Sequence, residues 1–123
     1  MTYPSRSIGK NDKVLIVKKK WLDLIFAKIK QLEIRPYPGV KGKRIFLCES
    51  GTSRVFGTAR VDDSLGPLDD DDWVRLRDQH RVPGEKLYTR NFAWQLSNVE
   101  RWSRSVQIRR KPGSIGDQNG PGW

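Results

Sequence analysis

Lys30, Glu33 and Arg35 fall within the six-residue run Lys30-Gln31-Leu32-Glu33-Ile34-Arg35. An amine, a carboxylate and a guanidinium at this spacing supply proton donors, an acceptor and fixed charge of both signs. If Leu32 to Pro36 is a strand, period-two alternation turns Glu33 and Arg35 to one face and Leu32 and Ile34 to the other, toward a core. Lys30, in the turn before the strand, can lean over the charged pair. Glu33 can accept hydrogen bonds from the amino edge of a base, or hold Lys30 and Arg35 in place. Arg35 offers a planar fork to a phosphate or a base edge. Two titrating groups in a desolvated cleft can also separate into acid and base roles, so Lys30 and Glu33 are the catalytic pair if the protein is an enzyme. The competing reading is an exposed salt-bridge cluster of little energetic value.

Other side chains could complete such a site. Lys18, Lys19 and Lys20 precede the cluster, and Lys41, Lys43 and Arg44 follow it. Both segments are expected to flank one mouth and contact phosphates, against the alternative of a solvated surface. Trp21 and Tyr37 are candidates for stacking on a base, although core packing competes, above all for Trp21. Ser50, next to Gly51 in a loop, can hydrogen-bond a ligand, but no base that would activate it is identifiable. The sole histidine, His80, lies on the apolar face of its helix and reads as structural. The sole cysteine, Cys48, sits in the apolar run Ile45-Phe46-Leu47-Cys48 and reads as a buried thiol. One histidine and one cysteine do not suggest a transition-metal site, and no cofactor is expected. Asp69 to Asp72 fan around a helix start without converging, which fits capping better than ion binding.

These side chains depend on the elements that carry them. Val14–Val17 is a β-branched strand, and Trp21 to Ile29 a mostly buried helix with Leu22, Ile25, Phe26 and Ile29 on one face. Glu33 to Tyr37 is a strand ended by prolines. Arg44 to Glu49 and Arg54 to Val61 are strands joined by the loop Ser50-Gly51-Thr52-Ser53. Ser64 to Leu68 is a loop, Asp69 to His80 a second helix, and Tyr88 to Asn98 a strand with Phe92, Trp94 and Leu96 on alternate positions. Val106 to Arg110 is a final strand. This order predicts an α+β fold, a small β-barrel with two or three short helices. One domain spans 13–111, between a loose arm at 1–12 and a Gly/Pro-rich tail at 112–123.

The chain has 123 residues and a net charge of +10, unevenly distributed. Residues 1–60 hold 14 Lys+Arg against 4 Asp+Glu, and residues 61–123 hold 10 of each. The acids concentrate between Asp62 and Glu85. A basic face and an acidic face follow, and the basic one suits a polyanion. No apolar run is long enough to span a membrane, and no apolar leader opens the sequence. A cytoplasmic, reducing location and a monomeric state are expected.

Taken together, several motifs resemble the ASCH domain, a member of the PUA-like superfamily of small β-barrels. They are Trp21-Leu22-Asp23-Leu24-Ile25 followed by Lys30-x-x-Glu33-x-Arg35, then Val55-Phe56-Gly57-Thr58-Ala59-Arg60-Val61, then Phe92-Ala93-Trp94-Gln95-Leu96. The resemblance runs from about Val14 to Gly113. It implies a PUA-like barrel whose cleft is lined by the Lys–Glu–Arg motif and binds RNA or a modified nucleobase. Some family members are hydrolases: one group deacetylates acetylated cytidine with a lysine, a threonine and a glutamate, and others cleave RNA. Lys30 matches that lysine, while Glu33 stands at the threonine's place. Lys28 replaces the family's glycine two residues before Lys30, where glycine would suit a left-handed helix cap.

The leading expectation is therefore a domain that binds RNA, single-stranded nucleic acid or a modified nucleoside. Its site would comprise Lys20, Trp21, Lys30, Glu33, Arg35, Tyr37, Lys41, Lys43, Arg44 and Ser50. A small hydrolase using Lys30 and Glu33 is the second expectation. The third is a protein-interaction module docking a basic partner through Asp62 to Asp72.

Overall fold

The computed structural model describes Ile8 and residues 12–108. The tail expected at 112–123, and the arm apart from Ile8 and Asp12, lie outside the described residues. The elements follow in the order β1 (Val14–Val17), α1 (Lys19–Phe26), β2 (Leu32–Arg35), β3 (Arg44–Glu49), β4 (Arg54–Leu65), α2 (Asp70–Arg75), α3 (Arg77–His80) and β5 (Phe92–Gln107). They form an α+β fold with one five-stranded mixed sheet in the order β1-β3-β4-β5-β2. Only β1 and β3 are parallel; the other neighbours are antiparallel.

Two long strands give the sheet its curl. β4 has 12 residues and β5 has 16, and their register slips at three places. One slip sets Thr58 opposite Glu100 but Arg60 opposite Ser97, leaving an extra β5 residue around Asn98 and Val99. Such bulges bend a strand and increase its twist. The curl does not close the sheet by a backbone ladder: β1 and β2 remain its two edges.

Inside the curl Leu15, Val17, Ile25, Ile45, Leu47, Ala59, Val61, Phe92, Trp94 and Leu96 form the main core. α1 covers one end of it, burying Leu22 and Ile25. A second core outside the sheet joins Leu32, Ile34 and Ala93 to Leu68, Trp73, Leu76 and Val82. Leu32 and Ile34 therefore face a core, as alternation predicts, but that core is the one built by α2, α3 and the segment after them. A third cluster packs Val14, Phe46, Cys48 and Val55 against Trp102 and Ile108, and buries the Cys48 thiol.

Several element bounds differ from those expected. α1 starts at Lys19, because apolar periodicity marks only the buried face and misses the exposed first turn, where Lys19 pairs with Asp23 at 2.7 Å. β4 runs on through Asp62-Asp63-Ser64 to Leu65, since β5 continues to pair with it there. The helix expected over Asp69 to His80 divides at Leu76. The Trp73 carbonyl, which an unbroken helix would offer to the Arg77 N–H, instead meets the His80 ring at 2.8 Å. The strand expected from Tyr88 begins only at Phe92, then runs unbroken to Gln107 and absorbs Val106. The remainder of that expected last strand, 109–110, is outside the described residues.

Candidate functional site

Glu33 and Arg35 pair in register with Trp94 and Phe92, so they share the face of β2 that looks into the curl. All four residues of β2 are buried, the charged ones included. Lys30, Glu33 and Arg35 are 2%, 4% and 3% exposed, which rules out the exposed salt-bridge reading. Arg35 Nε donates to Glu33 Oε2 at 3.0 Å, and Lys30 Nζ stands 3.9 Å from Glu33 Oε1.

The guanidinium also reaches across the open edge of the sheet. Lys13, just before β1, and Val17, at its end, give their carbonyls to the N–H groups of Phe46 in β3 and Ser50 just after it. Alternation leaves the Ile16 carbonyl pointing away from β3, toward the free edge. Arg35 donates to that carbonyl from β2 at 2.6 Å. A side chain thus bridges the two edge strands, and the ion pair sits in the seam of the curled sheet.

Lys30 is held from three directions. Its ammonium donates to the His80 carbonyl at the end of α3, lies 4.8 Å from the centroid of the Trp21 ring, and faces Glu33. Burial lowers its pKa from the ordinary 10.5 to about 8; the positive charge of Arg35 adds to the fall and Glu33 opposes it. His80 is fully buried and stacked on Trp73 at 4.1 Å between centroids. Its Nδ1 accepts from the Val82 N–H at 2.9 Å, so the proton sits on Nε2, which donates to the Trp73 carbonyl. Burial chiefly, with the Trp73 carbonyl opposing and Lys30 and Arg77 assisting, pushes its pKa below 6.5. His80 is structural: it shapes the α2–α3 corner whose last carbonyl holds Lys30.

The turn that delivers Lys30 runs through Lys28, whose φ is +63°. The Lys28 N–H bonds to the Ile25 carbonyl, and those of Ile29 and Lys30 to that of Leu24. This is a left-handed helix end of the kind glycine usually supplies, at a cost of about 1–2 kcal/mol for a side-chain-bearing residue.

A pocket of about 130 Å³ opens at the seam, lined by Lys18, Lys20, Trp21, Lys30, Glu33, Ile34, Arg35, Val82, Leu87 and Tyr88. It brings together five of the residues singled out in the sequence: Lys20, Trp21, Lys30, Glu33 and Arg35. The other five lie elsewhere. Arg44 lines a separate groove that shares Lys30 with the pocket. Tyr37 and Lys43 line an apolar pocket beside Trp94, whose indole N–H donates to the Tyr37 carbonyl. Lys41 is exposed on the turn before β3, and Ser50 is half-buried in the β3–β4 loop. Proximity to the motif along the chain does not carry these five to its pocket.

Val82, Leu87 and Tyr88 also line the pocket and are not among the residues singled out in the sequence; of the three, Tyr88 brings a polar side chain. Expected in a strand, Tyr88 sits instead in an irregular segment, fixed by Asn91, whose side chain accepts from the Tyr88 N–H at 3.1 Å and donates to its carbonyl at 2.8 Å. Burial raises the phenol pKa, leaving Tyr88 a proton donor across the neutral range. The only local hint of a fixed turn is an asparagine three residues on, Asn91.

No protein-family model matches the sequence, and no curated protein matches it. Solved structures do. The chain is similar to the crystal structure of ASCH from Zymomonas mobilis, with a TM-score of 0.66, 14% identity, and coverage of 81% of this chain and 76% of that one. A serine-to-alanine variant of that protein superimposes with a TM-score of 0.61 at 16% identity, covering 76% and 72% of the two chains. A tyrosine-to-phenylalanine variant gives 0.62 at 15% identity, covering 80% and 77%. The protein has the ASCH-domain fold, with a curled sheet left open at the seam. No helix among the described residues is long and apolar enough to cross a membrane.

Proposed function

We propose that the seam pocket binds one base of RNA or of a modified nucleotide, with the exposed Lys18 and Lys20 on its rim meeting phosphate. The observation that carries this reading is the burial of three charged groups against a cavity. Structural ion pairs that deep are costly, whereas here Glu33, Lys30 and the Tyr88 phenol also line space for a ligand. About 130 Å³ is roughly four waters' worth of liquid volume, the scale of a single heterocycle and too small for a stacked pair. Glu33 would accept from an exocyclic amine, Lys30 or Tyr88 would donate to a ring carbonyl, and the Trp21 edge would supply apolar contact. The ASCH-domain fold supports the reading without deciding the ligand.

Titration of a labelled short single-stranded RNA at low salt tests it. Micromolar or tighter binding is expected, weakening with salt. Glu33→Gln should cost about tenfold in affinity, the loss of one charge-assisted hydrogen bond, with folding checked by circular dichroism. Absence of any affinity at low salt sinks the proposal.

One observation favours a second, catalytic reading. A lysine with a pKa of about 8 is roughly one-tenth neutral amine at pH 7. Neutral Lys30 could take a proton from a water that adds to an acetyl carbonyl on a cytosine amine. The expelled amine would recover that proton, and acetate would leave. Since Glu33 replaces the family's threonine, no covalent step is invoked. Turnover of acetylated cytidine should rise with pH and level near 8, and should vanish in Lys30→Ala; turnover surviving that change removes Lys30 from the mechanism.

A further inference from the structure

A second cavity lies on the other side of the Lys30 turn. It is an open groove of about 730 Å³ between the end of α1, the β3–β4 edge and the β5 bulge. Its walls carry three exposed cations, Lys28, Arg44 and Arg60, against one carboxylate, Glu100. Arg60 lies 3.4 Å from the half-buried Asp62, a pair that solvent still reaches and screens. Thr58, at 2% exposure, also lines the groove.

Backbone strain marks the same place. Four residues other than glycine have a positive φ among the described residues, and two of them, Lys28 at +63° and Asn98 at +48°, line this groove. Asn98 stands at the β5 bulge, which spreads β5 from β4 beside Thr58. Strained positions and bulges that converge on one cavity are characteristic of binding surfaces. The polar lining, with amides from Gln31 and Asn98 and few apolar side chains apart from Ile25, Leu96 and Val99, does not suit a hydrophobic ligand.

We infer that this groove is a subsite for the sugar–phosphate backbone of a polynucleotide, with Lys28, Arg44 and Arg60 on phosphates and Thr58 on a phosphate or sugar oxygen. The inference rests on the base-pocket reading, because Lys30 lines both cavities and a strand leaving the pocket would enter the groove. The preferred ligand is then an oligonucleotide rather than a free nucleoside or mononucleotide.

The test measures anisotropy of labelled RNAs of one, four and eight nucleotides, at two salt concentrations. The wild type should bind the longer RNAs at least tenfold more tightly than the mononucleotide. Their log–log salt slope should be steeper by about 2, the value for three phosphates at about 0.7 each. Arg44→Glu combined with Arg60→Glu changes two exposed side chains and should remove the length gain while leaving mononucleotide affinity unchanged. Glu33→Gln should weaken all lengths alike. Equal affinity at every length, or a length gain that survives the double charge reversal, overturns the groove while leaving the base pocket standing. Length-dependent binding lost in the double variant but indifferent to Glu33→Gln keeps the groove and overturns the base pocket. No binding at any length overturns both.

Discussion

The seam and the start of α2 are built from the same chemistry and stand in opposite surroundings. At the seam, Lys30, Glu33 and Arg35 are each less than 5% exposed. Around α2, Asp72 pairs with Arg75 at 2.8 Å and Asp70 with Lys86 at 2.8 Å, mostly in solvent. The acidic run serves its own helix. Asp69 accepts from the Asp72 N–H at 2.7 Å and Asp72 accepts from the Asp69 N–H at 3.1 Å, a complete capping box. Water can replace any partner there. At the seam it cannot do so freely, and removing one charge strands another. Charge density along a sequence therefore says little about energy; the dielectric around each group decides it.

The sharpest way to break this contrast is Glu33→Ala, which leaves Arg35 and Lys30 buried without their anion. A loss of about 3–5 kcal/mol is expected in denaturant titrations. A loss under 1 kcal/mol would place the seam in the same class as the surface. Next comes pH. The folded pKa of Lys30, about 8, lies below its unfolded value of 10.5, so between those limits the unfolded chain binds more protons and stability rises with pH. Relative to Lys30→Met, the wild type should gain roughly 2–3 kcal/mol from pH 8 to 10.5, and a flat difference would contradict the burial argument. Asp69→Ala should cost about 1 kcal/mol through the lost cap. Smallest is Asp23→Ala, which removes the exposed pair with Lys19 and should change stability by less than about 0.5 kcal/mol.

How much of this was written locally in the chain varies by element. The bounds of β1 and β3 and the four-residue loop after β3 follow from β-branched runs and turn chemistry, all short-range signals. The placement of Glu33 and Arg35 on one face follows from alternation alone. That this face closes a seam does not, because the seam exists only once β1 and β2 become the two edges of a sheet ordered by β3, β4 and β5. The flanking cations show the same limit. Lys20 and Arg44 are similar in type and distance along the chain from the motif, yet they line different cavities. Tyr88 reaches the pocket through a turn that Asn91 fixes 55 residues after Glu33, and no local pattern reports that distance. Lys28 has a left-handed backbone at the position where the ASCH resemblance leads one to expect glycine, so that part of the resemblance was informative about geometry.

The hydrogen bond from Arg35 to Ile16 makes this curled sheet a cuff fastened by a clasp rather than a ring. A ring of backbone ladders is indifferent to what binds beside it. A clasp is not: whatever competes for Glu33 or Arg35 acts on the whole circumference through two side chains. On the proposed reading, the groups that would recognise a ligand are also those that fasten the two edges of the sheet.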